Sequence, residues 1–144
     1  MKVLILGASG FLGEILYKKI KEETDFWVLG TYNESKINNE LIKLNVGNLI
    51  EVKTFLEHFK VDVVIWCIIE KIDEKELINT GLSNIFNNIN KSCKFIYMST
   101  NTVPGESENL VSKLDNYTII KAGIEIDKLQ QTIINIISTN FIGG

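Results

Sequence analysis

Three glycines follow the first apolar run of the chain at a regular spacing. They belong to the loop Gly7–Gly13, which lies between a predicted strand and a segment of helical period. Glycine permits a tight turn and a close approach of the backbone to phosphate, and the first turn of a helix offers N–H groups and partial positive charge. The loop therefore predicts a cradle for the pyrophosphate of a dinucleotide. The residues expected to line it are Gly7, Ser9, Gly10, Phe11, Leu12 and Gly13.

The elements that must position this loop alternate along the chain. Short apolar runs predict strands at Lys2–Leu6, Phe26–Thr31, Val61–Ile69, Lys94–Met98 and Ile133–Ser138, with a weak strand at Leu41–Leu44. Several are apolar on both faces, as in a parallel sheet covered by helices. The pairs Asn48/Glu51 and Asp73/Glu76 predict helix starts between them. This order predicts an α/β fold with a doubly wound parallel sheet of the Rossmann type, as a single dinucleotide-binding domain over residues 1–144.

Several segments resemble one superfamily. The spacing G-x-x-G-x-x-G, here GASGFLG, resembles the short-chain dehydrogenase/reductases, in particular their extended and atypical members. Gly30-Thr31-Tyr32 is similar to the dTDP-4-dehydrorhamnose reductase branch. The stretch 99–103 (STNTV) resembles the Ser-Thr-Asp-Tyr-Val segment of that branch, with Asn101 and Thr102 as departures. The resemblance also makes Asn45-Val46 the adenine contact and matches Asn79 to the asparagine of the central helix. It places Cys67, after strand four, beside the cofactor.

The resemblance implies hydride transfer between a nicotinamide cofactor and a carbonyl. In that reaction Ser99 or Thr100 would bond the carbonyl oxygen. Tyr117 would protonate that oxygen, while Lys121 would stabilise the phenolate and bond the nicotinamide ribose. The four-residue spacing predicts that Tyr117 and Lys121 share one helix face.

Tyr-x-x-x-Lys spacing alone does not single out this pair. Tyr17/Lys21 and Tyr32/Lys36 repeat it in a chain whose basic residues are all lysines. We favour Tyr117/Lys121 on position, because only this pair follows Ser99-Thr100 and is expected to open a helix near the nicotinamide. The alternative is a plain helix-surface pair.

The end of the second strand bears on cofactor choice. An acid there binds the ribose hydroxyls of NAD, whereas this chain has Thr31, with Tyr32 and Asn33 after it. The absence of a carboxylate at these positions favours NADP, and Ser35 and Lys36 are candidates for its 2′-phosphate. NAD remains the alternative, since the chain has no arginine to bind that phosphate.

Composition excludes several other classes of function. With a net charge of −3, the chain has no excess of positive charge with which to bind nucleic acid or anionic lipid. No apolar run of the sequence is long enough to span a membrane. Cys67 and Cys93 are interpreted as buried reduced thiols, and His58 as a helix-surface residue, so no metal site is expected. We expect a cytoplasmic protein that acts on a small molecule.

Two departures leave the function open between two classes. The first departure is that the chain ends at Gly144, before the C-terminal substrate domain of extended members. The second is the segment Trp66–Ile69, which occupies positions where small residues are expected, and its bulk would narrow the nicotinamide pocket. The first hypothesis is an NAD(P)H-dependent reductase acting on a carbonyl such as a keto-sugar. The second is a non-catalytic NAD(P)-binding redox sensor or regulatory module, similar to the atypical NmrA-like branch. A sugar-nucleotide epimerase is a less favoured third. The resemblance also makes a homodimer plausible through helix pairing.

Overall fold

The computed structural model describes residues 1–33, 40–68, 75–99, 110–114, 116–121 and 126–142. Within these ranges six strands and four helices follow one another along the chain. They are β1 (Lys2–Leu6), α1 (Phe11–Glu23), β2 (Trp27–Tyr32), β3 (Ile42–Lys43), α2 (Leu49–His58), β4 (Val63–Trp66), α3 (Lys75–Phe86), β5 (Lys94–Ser99), β6 (Tyr117–Lys121) and α4 (Ile126–Ile142).

The six strands form one parallel sheet in the order β3-β2-β1-β4-β5-β6. The chain moves outward from β1 to β3, then returns to place β4 on the other side of β1. The carboxyl ends of β1 and β4 therefore border the topological switch point, where ligands bind in open α/β sheets. This arrangement confirms the predicted doubly wound fold.

The sheet separates two apolar layers. Alternate strand residues such as Val3 and Ile65 pack with α1 and α4, whereas Leu4 and Val64 pack with α2 and α3. Strands covered on both faces must be apolar on both, which explains the continuous apolar runs of the sequence. No helix in the described ranges is long and apolar enough to span a membrane.

The predicted start of α2 is confirmed in detail. Asn48 caps the helix by accepting a hydrogen bond from the Glu51 N–H through its side-chain oxygen at 3.1 Å. The Glu51 carboxylate accepts from the Asn45 N–H at 3.4 Å, so it braces the preceding loop. The other predicted start, Asp73 with Glu76, begins outside the described residues, and α3 is described from Lys75.

Two predictions near the C-terminus are wrong. Tyr117–Lys121 is the strand β6, because Tyr-Thr-Ile-Ile combines aromatic and β-branched residues that pack well on a sheet. Ile133–Ser138 lies inside α4, where Leu129, Ile133 and Ile137 recur every four residues and are buried together. A short run rich in isoleucine resembles a buried strand until its residues are counted at helical spacing.

Candidate functional site

The glycine loop lies at the switch point, and its three glycines have different reasons to be glycine. Gly7 has φ +81°, a backbone conformation that side chains disfavour. A Cβ at Gly13 would lie 2.1 Å from the Gly7 carbonyl oxygen, so α1 packs there directly on the backbone of the loop. Among the described residues, a Cβ at Gly10 would meet only the Gly7 oxygen, at 3.5 Å. The described part of the chain therefore leaves the space beside Gly10 open to a ligand.

The first turn of α1 adjoins this open space. Gly10 is the N-cap residue, and it has no side chain with which to cap the helix. The N–H groups that begin a helix lack partners within it, so an external anion can accept from them. Phe11 is 72% exposed at the mouth of the loop. This geometry suits a phosphate group.

The end of β4 forms the floor of the loop. The Cys67 N–H donates to the Leu6 carbonyl at 2.9 Å, and a Cβ at Gly7 would lie 3.1 Å from the backbone of both Cys67 and Ile68. The Cys67 thiol lies in the apolar layer of α1 and α4, and burial raises its pKa to about 12. Cys67 therefore supports the loop through its backbone, with its side chain directed into the core.

Trp66 does not narrow a pocket, contrary to expectation. Its side chain is fully buried, packing on Phe95 with ring centroids 6.4 Å apart and lying close to Gly81 of α3. Its indole N–H has no hydrogen-bond partner in the described part of the chain. Trp66 and Ile68 pack in the layer between the sheet and α3, Cys67 packs in the layer of α1 and α4, and Ile69 lies outside the described residues.

The end of β2 borders the other side of the loop. The Ala8 N–H donates to the Thr31 carbonyl at 2.8 Å, which ties the loop to β2. Thr31 is only 2% exposed, so its side chain is not available to a ribose. The strand continues to Tyr32, one residue beyond the prediction, and Asn33 is the exposed residue that follows. Ser35 and Lys36 lie outside the described residues.

The loop between β3 and α2 is held from α3. The Asn45 side chain accepts from the Gly47 N–H at 3.0 Å, and the Val46 carbonyl accepts from the Asn84 side chain at 2.9 Å. Gly81 lets α3 approach, since a Cβ there would lie 2.7 Å from the Val46 side chain. Asn84 is not among the residues predicted from the sequence, where its only signal is a polar residue on the inner side of an amphipathic helix.

Of the predicted catalytic residues, the structure brings only Ser99 and Lys121 together, and it separates Tyr117 from both. Ser99 and Lys121 are register partners at the carboxyl ends of β5 and β6, which is the end of the strands from which the glycine loop also emerges. Tyr117 pairs with Phe95 near the amino end of β5, at the opposite edge. Four residues of strand separate Tyr117 from Lys121 by about 13 Å. Thr100 lies outside the described residues.

The one Tyr-x-x-x-Lys pair described on a helix is Tyr17/Lys21 of α1. The Tyr17 hydroxyl donates to Glu40 at 3.2 Å, and the Lys21 ammonium lies 2.7 Å from the same carboxylate. Burial raises the pKa of Tyr17, and the hydrogen bond from Lys21 lowers the pKa of Glu40. A phenol with a raised pKa beside a carboxylate is not activated as an acid catalyst. This cluster instead ties α1 to the segment before β3.

The family follows from a match over most of the chain. The model of the NAD-dependent epimerase/dehydratase family matches residues 3–120. This chain belongs to that family. Its cofactor is accordingly a nicotinamide dinucleotide, as the resemblance to the short-chain dehydrogenase/reductases implied. No curated protein sequence matches the chain significantly.

Solved structures share the fold of this family member at low sequence identity. A hypothetical dTDP-4-dehydrorhamnose reductase from Sulfolobus tokodaii is 18% identical with a TM-score of 0.76, over 97% of this chain and 73% of the other. The dTDP-4-dehydrorhamnose reductase of Bacillus anthracis, in complex with NADP, is 20% identical with a TM-score of 0.59, over 83% and 52%. The enzyme WbmH of Bordetella bronchiseptica, in complex with NAD+, is 17% identical with a TM-score of 0.64, over 83% and 55%. The chain thus spans about half to three quarters of these proteins.

The described residues fit the cofactor of the family at its phosphates. The open side of Gly10, the uncapped start of α1 and the carboxyl ends of β1 and β4 meet at one place. In the described part of the chain no group of three His, Cys, Asp or Glu residues could hold a metal ion.

Proposed function

We propose that this chain is an NAD(P)H-dependent reductase that prefers NADP and transfers hydride to the carbonyl of a sugar-like substrate. The observation that carries the proposal is the open space beside Gly10 at the start of α1. Family membership supports the chemistry, and the similar fold of dTDP-4-dehydrorhamnose reductases supports the substrate class.

The chain's own residues would act on the cofactor mainly through the backbone. The N–H groups of Phe11, Leu12 and Gly13, at the start of α1, would donate to the pyrophosphate. Asn45 and Val46 would contact the adenine. Bound there, the cofactor supplies the hydride.

The preference for NADP rests on the residues that end β2. None of Thr31, Tyr32 and Asn33 is acidic, so none of them repels a 2′-phosphate. Asn33 is exposed and would donate to the ribose or its phosphate, with Ser35 and Lys36 as further ligands. Glu34, the next residue, lies outside the described residues.

On the substrate side, the Ser99 hydroxyl would bond the carbonyl oxygen at the carboxyl end of β5, with Thr100 as the alternative. Lys121, its register partner, would bond the nicotinamide ribose from the end of β6. Tyr117 does not protonate the oxygen in this proposal, because it begins β6 at the opposite edge. The proton therefore comes from water or from another residue.

A second candidate function is favoured by one observation. Residues 100–116, which connect β5 to β6, contain no tyrosine, so no Tyr-x-x-x-Lys pair can form in that connection. A protein without this acid can bind the dinucleotide and respond to its redox state without turnover. This is the non-catalytic sensor or regulatory module.

Titration and turnover separate the two functions. Trp66 lies at the carboxyl end of β4, near the proposed cofactor site, whereas Trp27 lies at the amino end of β2. Trp27→Phe therefore leaves Trp66 as the only tryptophan whose fluorescence is measured. We expect saturable quenching of Trp66 by NADPH, with weaker binding of NADH. Failure of both to bind would refute either function.

NADPH oxidation is then measured over a panel of keto-sugars and small carbonyl compounds. The reductase predicts turnover that Ser99→Ala reduces and that the matched Tyr117→Phe variant leaves unchanged. Saturable binding with no turnover on any compound would support the non-catalytic module. Loss of turnover in Tyr117→Phe would contradict the placement of Tyr117 in β6.

A further inference from the structure

The turn from Asn45 to Asn48, between β3 and α2, has its own internal hydrogen bonds. The Asn48 N–H donates to the Asn45 carbonyl at 3.0 Å, and the Gly47 N–H donates to the Asn45 side chain at 3.0 Å. These bonds fix the shape of the turn. Its link to the sheet is short, because β3 has two residues and the last bond to β2 runs from the Leu44 N–H to the Tyr32 carbonyl. Beyond Leu44, contacts with another element place the turn.

The helix α3 makes these contacts, and both involve Val46. The Val46 side chain is buried, and a Cβ at Gly81 would lie 2.7 Å from it, so the helix approaches the turn closely at this glycine. One turn of helix later, the Asn84 side chain donates to the Val46 carbonyl at 2.9 Å. The packing holds the side chain of Val46, whereas the hydrogen bond orients the peptide group that joins Val46 to Gly47.

One backbone donor of this turn is left over. The N–H groups of Asn45 and Gly47 donate to the side chains of Glu51 and Asn45, but the N–H of the buried Val46 has no acceptor among the described residues. Buried backbone donors are nearly always paired with protein, water or ligand. The turn follows the carboxyl end of β3, and ligands bind at the carboxyl ends of the strands in open α/β sheets. The Val46 N–H is therefore a donor that a ligand can use.

We propose that Asn84 is a positioning residue that sets the preference of this chain for adenine as the base of its cofactor. This role rests on the proposed function, in which Asn45 and Val46 contact the adenine. Adenine presents a ring nitrogen as an acceptor beside its amino group, whereas hypoxanthine carries a proton on that nitrogen. A donor held in place through Asn84 would pair with adenine and oppose hypoxanthine. A site built around a fixed polar group discriminates strongly between such analogues.

The base preference is measured as a ratio of two dissociation constants. One is that of NADPH, and the other is that of the NADPH analogue in which hypoxanthine replaces adenine. Isothermal titration calorimetry suits this measurement because it needs no fluorophore near α3. The wild type should bind NADPH about tenfold more tightly than the analogue, as expected for one well-placed hydrogen bond. Asn84→Ala should reduce this ratio to about twofold, chiefly by weakening the binding of NADPH.

Two matched variants separate positioning from a loss of stability. Asn88→Ala removes a hydrogen bond of 2.8 Å to the Asn84 carbonyl, so it perturbs the same helix without removing the bond to Val46. It should lower the melting temperature as Asn84→Ala does, but it should keep the tenfold ratio. Asn84→Asp keeps the size of the side chain and places a carboxylate against the Val46 carbonyl oxygen, so it should lose the preference as alanine does.

Three results would overturn the role of Asn84. They are a wild type that binds both nucleotides equally, an Asn84→Ala variant that keeps the wild-type ratio, and a ratio that Asn88→Ala reduces as much as Asn84→Ala. Each of these results leaves the binding of NADPH by the wild type intact. Failure of the wild type to bind NADPH at all would instead refute the proposed function, and the role of Asn84 with it.

Discussion

Replacing Gly10 by alanine separates cofactor binding from folding. The new Cβ would meet the Gly7 oxygen at 3.5 Å, an ordinary contact, and the backbone at Gly10 has φ −77°, which alanine adopts freely. Alanine is a poorer N-cap than glycine by roughly 0.5–1 kcal/mol, but it restricts the unfolded chain by a similar amount. We therefore expect a melting temperature close to that of the wild type. The methyl group would occupy the space where the pyrophosphate approaches, so affinity should fall by about a hundredfold, near 3 kcal/mol.

The same substitution at Gly13 should do the opposite. Its Cβ would lie 2.1 Å from the Gly7 oxygen and 2.9 Å from the Ala8 Cα, and both are backbone atoms that cannot rotate away. Overpacking of a tight site costs about 3 kcal/mol, which corresponds to roughly 10 °C in melting temperature for a chain of this length. Gly13→Ala should therefore lower stability before it reports on binding.

The assay combines thermal unfolding without cofactor and NADPH titration followed by Trp66 fluorescence in the Trp27→Phe background. Without cofactor, Gly10→Ala should melt at the temperature of the parent protein. NADPH should raise the melting temperature of the parent protein, but it should not raise that of Gly10→Ala. An unchanged dissociation constant in Gly10→Ala would refute the placement of the pyrophosphate beside Gly10. A melting temperature for Gly13→Ala equal to that of the parent would refute the close packing of α1 on the loop.

Three further predictions concern polar groups away from the glycine loop. Lys94 is 7% exposed with no acidic partner among the described residues, and burial lowers its pKa. The folded protein then binds fewer protons than the unfolded chain, so its free energy of unfolding should rise as the pH increases towards 10.5. Lys94→Met should raise the free energy of unfolding at pH 7 by about 1 kcal/mol and should flatten this rise with pH, as measured by denaturant titration. Asn84→Ala removes the bond to the Val46 carbonyl and should cost about 1 kcal/mol in chemical unfolding, while the matched exposed substitution Asn87→Ala should cost less. Because the pKa of Glu40 is lowered, its contribution to the free energy of unfolding is present above pH 4.5 and is lost on acidification. Glu40→Gln should therefore reduce the dependence of that free energy on acidic pH. An unchanged pH dependence would contradict the Lys21–Glu40 pair.

The first half of the fold could be predicted from sequence because several local signals agree there. At Lys2–Leu6 an apolar run ends at a glycine loop, and at Asn48 a capping residue precedes an amphipathic helix. The C-terminal part gives weaker signals. Ile133–Ser138 is apolar and β-branched, yet the tertiary packing of Ile133 and Ile137 against α1 and the sheet makes it helical.

The candidate site was predictable only where chemistry and backbone geometry coincide. The glycine loop is such a case, because the same residues turn the chain and leave space for phosphate. Thr31 is not, since counting along the chain cannot distinguish a buried residue within β2 from the exposed Asn33 after it. Asn84 acts through a carbonyl 38 residues away, and no local pattern indicates such a contact.

The tyrosine–lysine pairs show that the four-residue spacing alone does not identify a catalytic pair, because it does not say whether the pair lies on a helix or on a strand, or at which end of the sheet. A separation of four residues joins Tyr17 and Lys21 on a helix, where Glu40 takes both donors. The same separation in β6 places Tyr117 and Lys121 at opposite edges of the sheet. Only the carboxyl ends of the strands adjoin the glycine loop, so Lys121 lies on the side of that loop whereas Tyr117 lies at the other end of β6. In the proposed function, dinucleotide binding would therefore depend on the start of α1, whereas carbonyl reduction would depend on a proton donor that the Tyr117 motif does not supply.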